Sequence, residues 1–193
     1  MRKLKLQINI SIDGFISDQI GGLDWISQEM DIRQLERLQA LTDGMDTIIM
    51  GRNMAAGFTT YWEDVVDNQP ESLEYPYAKK FVDTPKIVFS KTMKDLGGRN
   101  VQVENGDLVS AVNKLKQQQG KNLIVYGGGS FVSELIKYQL IDELHLFVNP
   151  TALGSGLPIF QSRQAFKLID SIFCNNGIVI NQYEPIKYYS AAK

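Results

Sequence analysis

The sequence contains almost none of the residues that build disulfides and zinc sites. Among 193 residues, Cys174 is the single cysteine and His145 is the single histidine. One cysteine cannot form an internal disulfide, and one histidine leaves no spacing for a Cys/His zinc site. We therefore expect no bound metal and a reducing compartment, the cytoplasm. His145 alternates with apolar residues, which predicts a structural or interface role for it.

Long apolar runs and an excess of basic residues are also absent. No run of about 18 apolar residues occurs, so the sequence predicts no membrane-spanning helix. The formal net charge is -2 at pH 7, whereas broad nucleic-acid binding needs a surplus of lysine and arginine. We expect neither a membrane nor a nucleic acid as a partner. Any anion-binding site therefore has to be formed by a few neighbouring residues and not by an overall positive charge.

The hydrophobic and charged content is typical of a globular protein. The length suits one domain over residues 1–193 with a complete hydrophobic core. Alternating apolar residues from Leu4 to Ile12 predict a strand with one buried face, and short apolar runs at 47–50, 86–89, 123–126 and 143–148 predict four more.

Helical patterns separate these strands. Apolar residues recur at roughly helical spacing over 27–42, over a segment that follows Asp107 and over 129–138. This alternation predicts an α/β fold with a mainly parallel central sheet flanked by helices. Two β-rich runs, 166–173 and 178–183, flank Asn176-Gly177 and predict a C-terminal antiparallel hairpin. The segment 65–77 shows no clear period and is predicted to be a surface excursion.

Three predicted strands end in residues that suit an anion. One runs into Gly127-Gly128-Gly129 at the start of a helix, another into Gly51-Arg52, and the third into Ser90-Lys91-Thr92. Glycines let a ligand approach the backbone, and a helix N-terminus directs unpaired N–H groups and positive dipole at it. Three such ends favour one long dinucleotide.

These residues, in this order, resemble the dihydrofolate reductase fold. This resemblance is carried by Ser11–Ile16, Met50-Gly51-Arg52, Ile87–Thr92 and the glycine triplet. The sequence resembles still more closely the C-terminal reductase domain of RibD, the bacterial riboflavin-biosynthesis deaminase-reductase. That closer resemblance is carried by Leu140–Leu146, Asn149-Pro150 and Leu153–Phe160. It covers nearly the whole chain. The resemblance implies an NADPH-dependent reductase, a homodimer, and a coenzyme lying across the carboxyl ends of the parallel strands. The zinc deaminase domain of the bifunctional protein has no counterpart in this sequence, which predicts a stand-alone reductase.

The resemblance assigns the coenzyme to three segments. The pyrophosphate and the nicotinamide side would be held by Gly127, Gly128, Gly129, Ser130 and Phe131. A second helix start would be added by Gly51, Arg52 and Asn53. The phosphate on the adenosine ribose would be held by Ser90, Lys91 and Thr92. Taken singly, each segment also has a structural interpretation, as a tight strand-to-helix turn, a surface arginine or a solvated lysine.

The resemblance places the substrate at the end of the first strand. Its candidate residues are Asn9, Ser11, Asp13, Trp25 and Ser155. Asp13 also suits a turn cap, Trp25 suits either a core position or stacking on a heterocycle, and Ser155 lies in a glycine-rich loop that suits a plain connection. Gly21-Gly22 would permit a mobile lid.

The sequence identifies no catalytic proton donor. Dihydrofolate reductase carries a helix carboxylate fifteen residues before the methionine of the Met-Gly-Arg motif, and here that position is Leu35. Asp31 and Glu36 would point in other directions on a helix. Folate is therefore not the expected substrate. The hypotheses are a reductase of the riboflavin type, a reductase of the same fold acting on another carbonyl or imine, and a non-catalytic NADP(H)-binding regulatory protein.

Overall fold

A computed structural model of the protein describes residues 1–186. Its strands are β1 (Leu4–Ser11), β2 (Met45–Gly51), β3 (Lys86–Phe89), β4 (Val101–Glu104), β5 (Asn122–Val125), β6 (Glu143–Asn149), β7 (Phe166–Phe173) and β8 (Val179–Pro185). They form an eight-stranded sheet in the order β4-β3-β2-β5-β1-β6-β8-β7. The pairs from β4 to β6 are parallel, and the β6–β8 and β8–β7 pairs are antiparallel. The predicted fold class is confirmed, and of the predicted single domain 1–193, residues 187–193 lie outside the described residues.

Helices cover both faces of this sheet. They are α1 (Ile32–Asp43), α2 (Arg52–Asn68), α3 (Tyr75–Asp83), α4 (Leu108–Gln117) and α5 (Gly129–Lys137). Residues of α4 and α5 pack with the apolar side chains of β1 in one core cluster, whereas residues of α1, α2 and α3 pack with Ile48, Met50 and Val88 in another. Because successive strand residues point to opposite faces, Ile48 and Ile49 of β2 belong to different clusters.

Two sequence-based expectations are wrong in detail. The helix predicted from Ser27 begins at Ile32, because Asp31 caps it by accepting a hydrogen bond from Arg33 N. The segment 65–77, predicted as a surface excursion, contains the last turn of α2 and the start of α3. Val65 is fully buried there, so tertiary packing stabilises a helix that the local pattern does not reveal.

Within residues 1–186, none of the helices combines the length and apolar character needed to cross a membrane.

Candidate functional site

The carboxyl ends of three adjacent strands, β3, β2 and β5, lead into one pocket of about 480 Å³. We call it the strand-end pocket. Its lining residues are Gly51, Arg52, Asn53, Met54, Phe89, Ser90, Lys91, Thr92, Gly128, Ser130, Phe131 and Glu134. The three segments that the sequence singled out therefore lie at the same edge of the sheet. All the predicted coenzyme residues except Gly127 and Gly129 line this pocket, and their binding of a coenzyme stays a prediction.

The members of the glycine triplet have different roles. Gly128 directly precedes α5 and has a φ of 85°, a left-handed conformation that favours glycine. Gly129 is buried, and a Cβ there would lie 2.4 Å from Leu157 Cδ2 and 3.0 Å from Ile16 Cδ1. Gly129 thus packs closely against two apolar side chains, and it does not line the pocket.

The two helices that begin at the pocket have no side-chain cap. Asp31 caps α1 and Asp107 caps α4, whereas Gly51 and Gly128 precede α2 and α5 without any side-chain acceptor. Helix α3 also lacks such a cap, but it has a proline in its first turn and contributes nothing to the pocket lining. The first N–H groups of α2 and α5 are therefore available to an anion in the pocket.

Basic and hydroxyl side chains add further donors. Arg52 Nη1 donates to Thr92 Oγ1 at 3.3 Å, which links the start of α2 to the segment after β3. Lys91 is exposed and, within residues 1–186, forms no ion pair. Glu134 contributes a carboxylate to the lining, and its Oε1 lies 3.4 Å from Lys137 Nζ. Two cations and one carboxylate leave the lining with a positive balance.

An aromatic pair forms the apolar wall of the pocket. The rings of Phe89 and Phe131 stack with centroids 5.4 Å apart. A Cβ at Gly51 would lie 2.7 Å from Phe131 Cβ, so glycine at that position leaves the space that Phe131 occupies. This wall is apolar, and it adjoins the starts of α2 and α5.

A second pocket, of about 350 Å³, continues from the first. The two share Phe89, Ser90, Lys91, Phe131 and Glu134. The second pocket extends to the end of β4, the start of α4 and the end of α5, through Glu104, Gly106, Asp107, Leu108, Val109 and Tyr138. The two pockets thus adjoin, and Lys91 lines both of them. Hydrogen bonds from Ser110 lower the pKa of Asp107, and the charge of Lys91 adds to this effect.

The five predicted substrate residues do not line either pocket. Asn9, Ser11 and Asp13 lie at or just beyond the end of β1, the strand next to β5. Asn9 Oδ1 accepts a hydrogen bond from Asn149 Nδ2 at 3.1 Å, and Ser11 Oγ accepts one from Phe15 N at 2.9 Å. These polar groups are engaged within the protein, and substrate binding by them stays a prediction.

Asp13 serves as a loop tether. Its carboxylate accepts hydrogen bonds from Ser11 Oγ at 2.6 Å, Gly154 N at 2.7 Å and Leu153 N at 3.0 Å. The Ser11 hydroxyl, with the two backbone N–H groups, holds the pKa of this carboxyl below its usual value. Ser155 follows in the same loop and its Oγ accepts from Gln19 Nε2 at 2.8 Å. Asp13 therefore joins the turn after β1 to the loop at 153–154, a contact beyond the turn cap that the sequence suggested.

Trp25 is half-buried outside the pockets. Its indole N–H donates to Gly22 O at 3.2 Å. This contact ties the ring to the Gly21-Gly22 segment.

Helix α1 offers no free carboxylic acid at the position considered for proton donation. Leu35 is half-buried and Glu36 is exposed. Asp31 accepts hydrogen bonds from Arg33 N and Asn175 N at 2.8 Å each, and these bonds lower the pKa of its carboxyl. An ionised capping carboxylate is not a proton donor.

Sequence reasoning missed three lining residues, Met54, Phe89 and Glu134. Glu134 follows Ser130 by one helical turn, so the 3.6-residue period of α5 carries the signal that places both on one face. Phe89 and Met54 directly adjoin the predicted segments, but an apolar side chain beside a turn carries no specific signal.

Comparisons with known proteins agree with this architecture. Residues 2–180 match the family model described as the RibD C-terminal domain. The chain is 29% identical to the uncharacterized protein YyaP of Bacillus subtilis over 181 residues, which cover 92% of each chain. It is 32% identical to the uncharacterized protein YwjB of the same organism, over 82% of this chain and 83% of YwjB. It is 24% identical to the riboflavin biosynthesis protein RibD of Aquifex aeolicus, over 77% of this chain and 46% of that protein.

Solved structures share the fold. A putative riboflavin biosynthesis protein from Shewanella sp. PV-4 superposes with a TM-score of 0.70 at 25% identity, over 97% of this chain and 100% of the other. The Thermotoga maritima diaminohydroxyphosphoribosylaminopyrimidine deaminase/5-amino-6-(5-phosphoribosylamino)uracil reductase has a TM-score of 0.65 at 16% identity, over 96% of this chain and 57% of that one.

Proposed function

The chain belongs to the RibD C-terminal domain family, and on that basis we propose that it is an NADPH-dependent oxidoreductase that reduces a small carbonyl or imine compound. The observation that carries this proposal is the strand-end pocket, where the ends of β2, β3 and β5 place Gly51, Lys91 and Gly128 around one space. The substrate class that the family suggests is a phosphoribosylaminopyrimidine, as in 5-amino-6-(5-phosphoribosylamino)uracil reductase. YyaP matches over 92% of its length, which supports a stand-alone role for this domain.

The donors in the pocket fit the phosphates of a dinucleotide. The pyrophosphate would lie against the uncapped N-termini of α2 and α5, where N–H groups and the helix dipole favour negative charge. Arg52 adds a guanidinium at the start of α2. Because backbone N–H groups at a helix start have fixed positions, they would bind the pyrophosphate without any movement of side chains.

Lys91 and its neighbours fit the phosphate on the adenosine ribose. A dianion gains charge-assisted hydrogen bonds from a lysine and from hydroxyl donors, which here are Ser90 and Thr92. NADH lacks this phosphate, so we propose a preference for NADPH. The second pocket would then take the base at that end of the coenzyme.

The bound coenzyme would supply a hydride. The residues of this chain would bind it, exclude water and orient it. The stacked Phe89 and Phe131 rings provide an apolar wall, and Gly51 leaves room for Phe131. Substrate would approach from the neighbouring end of β1, where the tether from Asp13 to Leu153 and Gly154 fixes the loop that carries Ser155.

A second candidate is a reductase of the same fold with an unphosphorylated carbonyl or imine substrate. The observation that favours it is the neutral and acidic character of the predicted substrate residues, Asn9, Ser11, Asp13, Trp25 and Ser155, which offer no cation for a substrate phosphate. Leu35, in place of a helix carboxylate, argues against folate in both cases.

The test has two steps, a binding titration with NADPH and NADH and then an assay of coenzyme consumption by absorbance at the nicotinamide band. Binding would be measured first, through the change in nicotinamide fluorescence. The protein would then be mixed with NADPH and, separately, with the aminopyrimidine ribotide, dihydrofolate and a panel of aldehydes, ketones and imines. Consumption with the ribotide supports the first candidate, and consumption with another carbonyl or imine compound supports the second. Binding without consumption indicates a regulatory NADP(H)-binding protein, and no binding of either coenzyme removes the proposal.

We also propose a homodimer. Strand β7 is at the edge of the sheet and exposes Leu168, Ile169 and Phe173, with 51%, 43% and 64% of their surface accessible. An edge strand with exposed apolar side chains favours association. Sedimentation equilibrium of the protein would distinguish a dimer from a monomer.

A further inference from the structure

The segment that carries Lys91 and Thr92 is folded around one hydroxyl. Ser90 Oγ accepts hydrogen bonds from Thr92 N at 3.3 Å and Met93 N at 3.0 Å. Ser90 N donates to Glu104 O at 3.1 Å, which attaches the start of the segment to the end of β4. We call residues 90–93 the lysine loop.

Asn105 closes this loop from outside. Its side-chain amide nitrogen Nδ2 donates to Ser90 O and also to Met93 O, the latter at 2.8 Å. One NH₂ group thereby joins the carbonyls at the first and last residues of the lysine loop. Asn105 itself lines neither of the two pockets.

The backbone around Asn105 is held on both sides. Before it, Glu104 ends β4, and after it Gly106 N donates to Glu104 Oε1 at 2.6 Å. Asp107 then caps α4 by accepting from Ser110 N at 2.9 Å. The side-chain amide therefore extends from a backbone anchored to both a strand and a helix, so it can fix the loop relative to the sheet.

We infer that Asn105 is a positioning residue that sets the place of Lys91 and Thr92, and through them the affinity for the ribose phosphate of the coenzyme. The inference rests on the proposed function. An amide suits the position because it donates two hydrogen bonds without adding charge. An aspartate at the same place would lose both donors and turn a carboxylate towards two carbonyl oxygens, and a serine would keep a single donor.

The test compares Asn105→Asp with Asn100→Asp. Asn100 precedes β4 and its Nδ2 donates to Val82 O at 3.0 Å and Asp83 O at 3.4 Å, away from the pocket. The control therefore makes the same change of charge and disturbs the same kind of contact at the opposite end of the strand. Dissociation constants for NADPH and NADH would be measured for wild type and both variants, together with melting temperatures.

We expect Asn105→Asp to weaken NADPH binding about tenfold or more, the effect of losing well-placed hydrogen bonds. NADH binding should change much less, Asn100→Asp should bind both coenzymes as wild type does, and Asn105→Ser should fall between wild type and Asn105→Asp. If wild type binds NADPH and Asn105→Asp binds it equally well, or if the loss is the same for NADH, the positioning role is wrong.

Hydrogen–deuterium exchange tests the loop without any coenzyme. In the free protein, amides of Thr92 and Met93 should exchange faster in Asn105→Asp than in wild type, and at the wild-type rate in Asn100→Asp. Unchanged exchange in Asn105→Asp would refute the claim that the Asn105 side chain fixes the lysine loop. Absence of coenzyme binding by wild type would remove the proposed function and the role in affinity, while the exchange result would still decide whether Asn105 fixes the loop.

Discussion

Lys91 is the residue on which the proposed preference for NADPH depends most directly. It lines both pockets, is exposed and forms no ion pair within the described residues. We expect Lys91→Ala to weaken NADPH binding by about 1 to 3 kcal/mol, the range for a charge-assisted contact, with a much smaller effect on NADH. Isothermal titration with both coenzymes would measure this.

Lys94→Ala is the matched control, because Lys94 is exposed close by but lines neither pocket. Equal losses for NADPH and NADH in Lys91→Ala would contradict the assignment of Lys91 to the ribose phosphate. An equal effect of Lys94→Ala would show that general positive charge, rather than a contact, is responsible.

Residue identity alone predicted that the three strand ends suit an anion, which stays a prediction, but it did not reveal the separate roles of individual glycines. Gly128 has a left-handed conformation that favours glycine, whereas Gly129 packs closely against Leu157. The sequence distance between Gly129 and Leu157 hides this contact, because it arises only when the loop after β6 folds over the start of α5.

At the level of elements, α3 depends on a buried lysine. Lys86 is 2% exposed, and its Nζ donates to Phe81 O, Val82 O and Thr84 O at 2.9, 3.0 and 2.9 Å. Burial lowers the pKa of Lys86 to about 8. The ammonium group satisfies carbonyls at the C-terminus of α3 and joins the helix to the start of β3.

We predict that Lys86→Met lowers the free energy of unfolding by about 2 to 4 kcal/mol, because three carbonyls lose a buried donor. Urea denaturation would measure the change. Lys79→Met, within α3, is the control, since Lys79 forms only an exposed pair with Asp83 and should shift stability by less than about 0.5 kcal/mol. Similar values for the two variants would contradict a capping role for Lys86.

The elements that sequence patterns missed are those stabilised mainly by distant contacts. Helix α2 contains Phe58, Thr59, Tyr61 and Trp62, residue types that favour strands locally. The Trp62 ring packs on Phe81 of α3 with centroids 4.8 Å apart, so the two helices stabilise each other. Helix α4 was predicted well because Asp107 marks its start and its apolar positions recur with helical spacing.

At the level of the whole molecule, a buried histidine couples folding to pH. His145 of β6 is 2% exposed and pairs with Gln7 of β1 and Gln182 of β8. Its Nε2 lies 3.4 Å from Glu143, and burial together with the charges of Lys5 and Arg37 lowers its pKa, although Glu143 opposes this. Hydrogen bonds from His145, Lys3 and Lys5 lower the pKa of Glu143.

Both shifts make the protein less stable in acid. Below pH 6.5 the unfolded chain protonates its histidine more readily than the native state does, so stability falls as pH decreases. Below pH 4.5 Glu143 is also protonated more readily in the unfolded chain than in the native state, so the stability of the protein falls further. Urea unfolding at a series of pH values would show this slope, and His145→Gln should flatten the part that begins at pH 6.5. An unchanged slope in that variant would assign the dependence to other groups.

The sequence by itself determined the α/β class, the antiparallel end of the sheet and the chemical character of the candidate site. These follow from periodicity, from Asn-Gly turn chemistry and from glycine or basic residues after apolar strands, all of which are local properties. Strand order was decided only by tertiary structure. It places β3, β2 and β5 side by side although 32 residues lie between Phe89 and Asn122, and it brings Asn105 against the lysine loop. The order of the strands depends on how helices bury both faces of the sheet. This is a property of the whole chain, which no short segment of sequence contains.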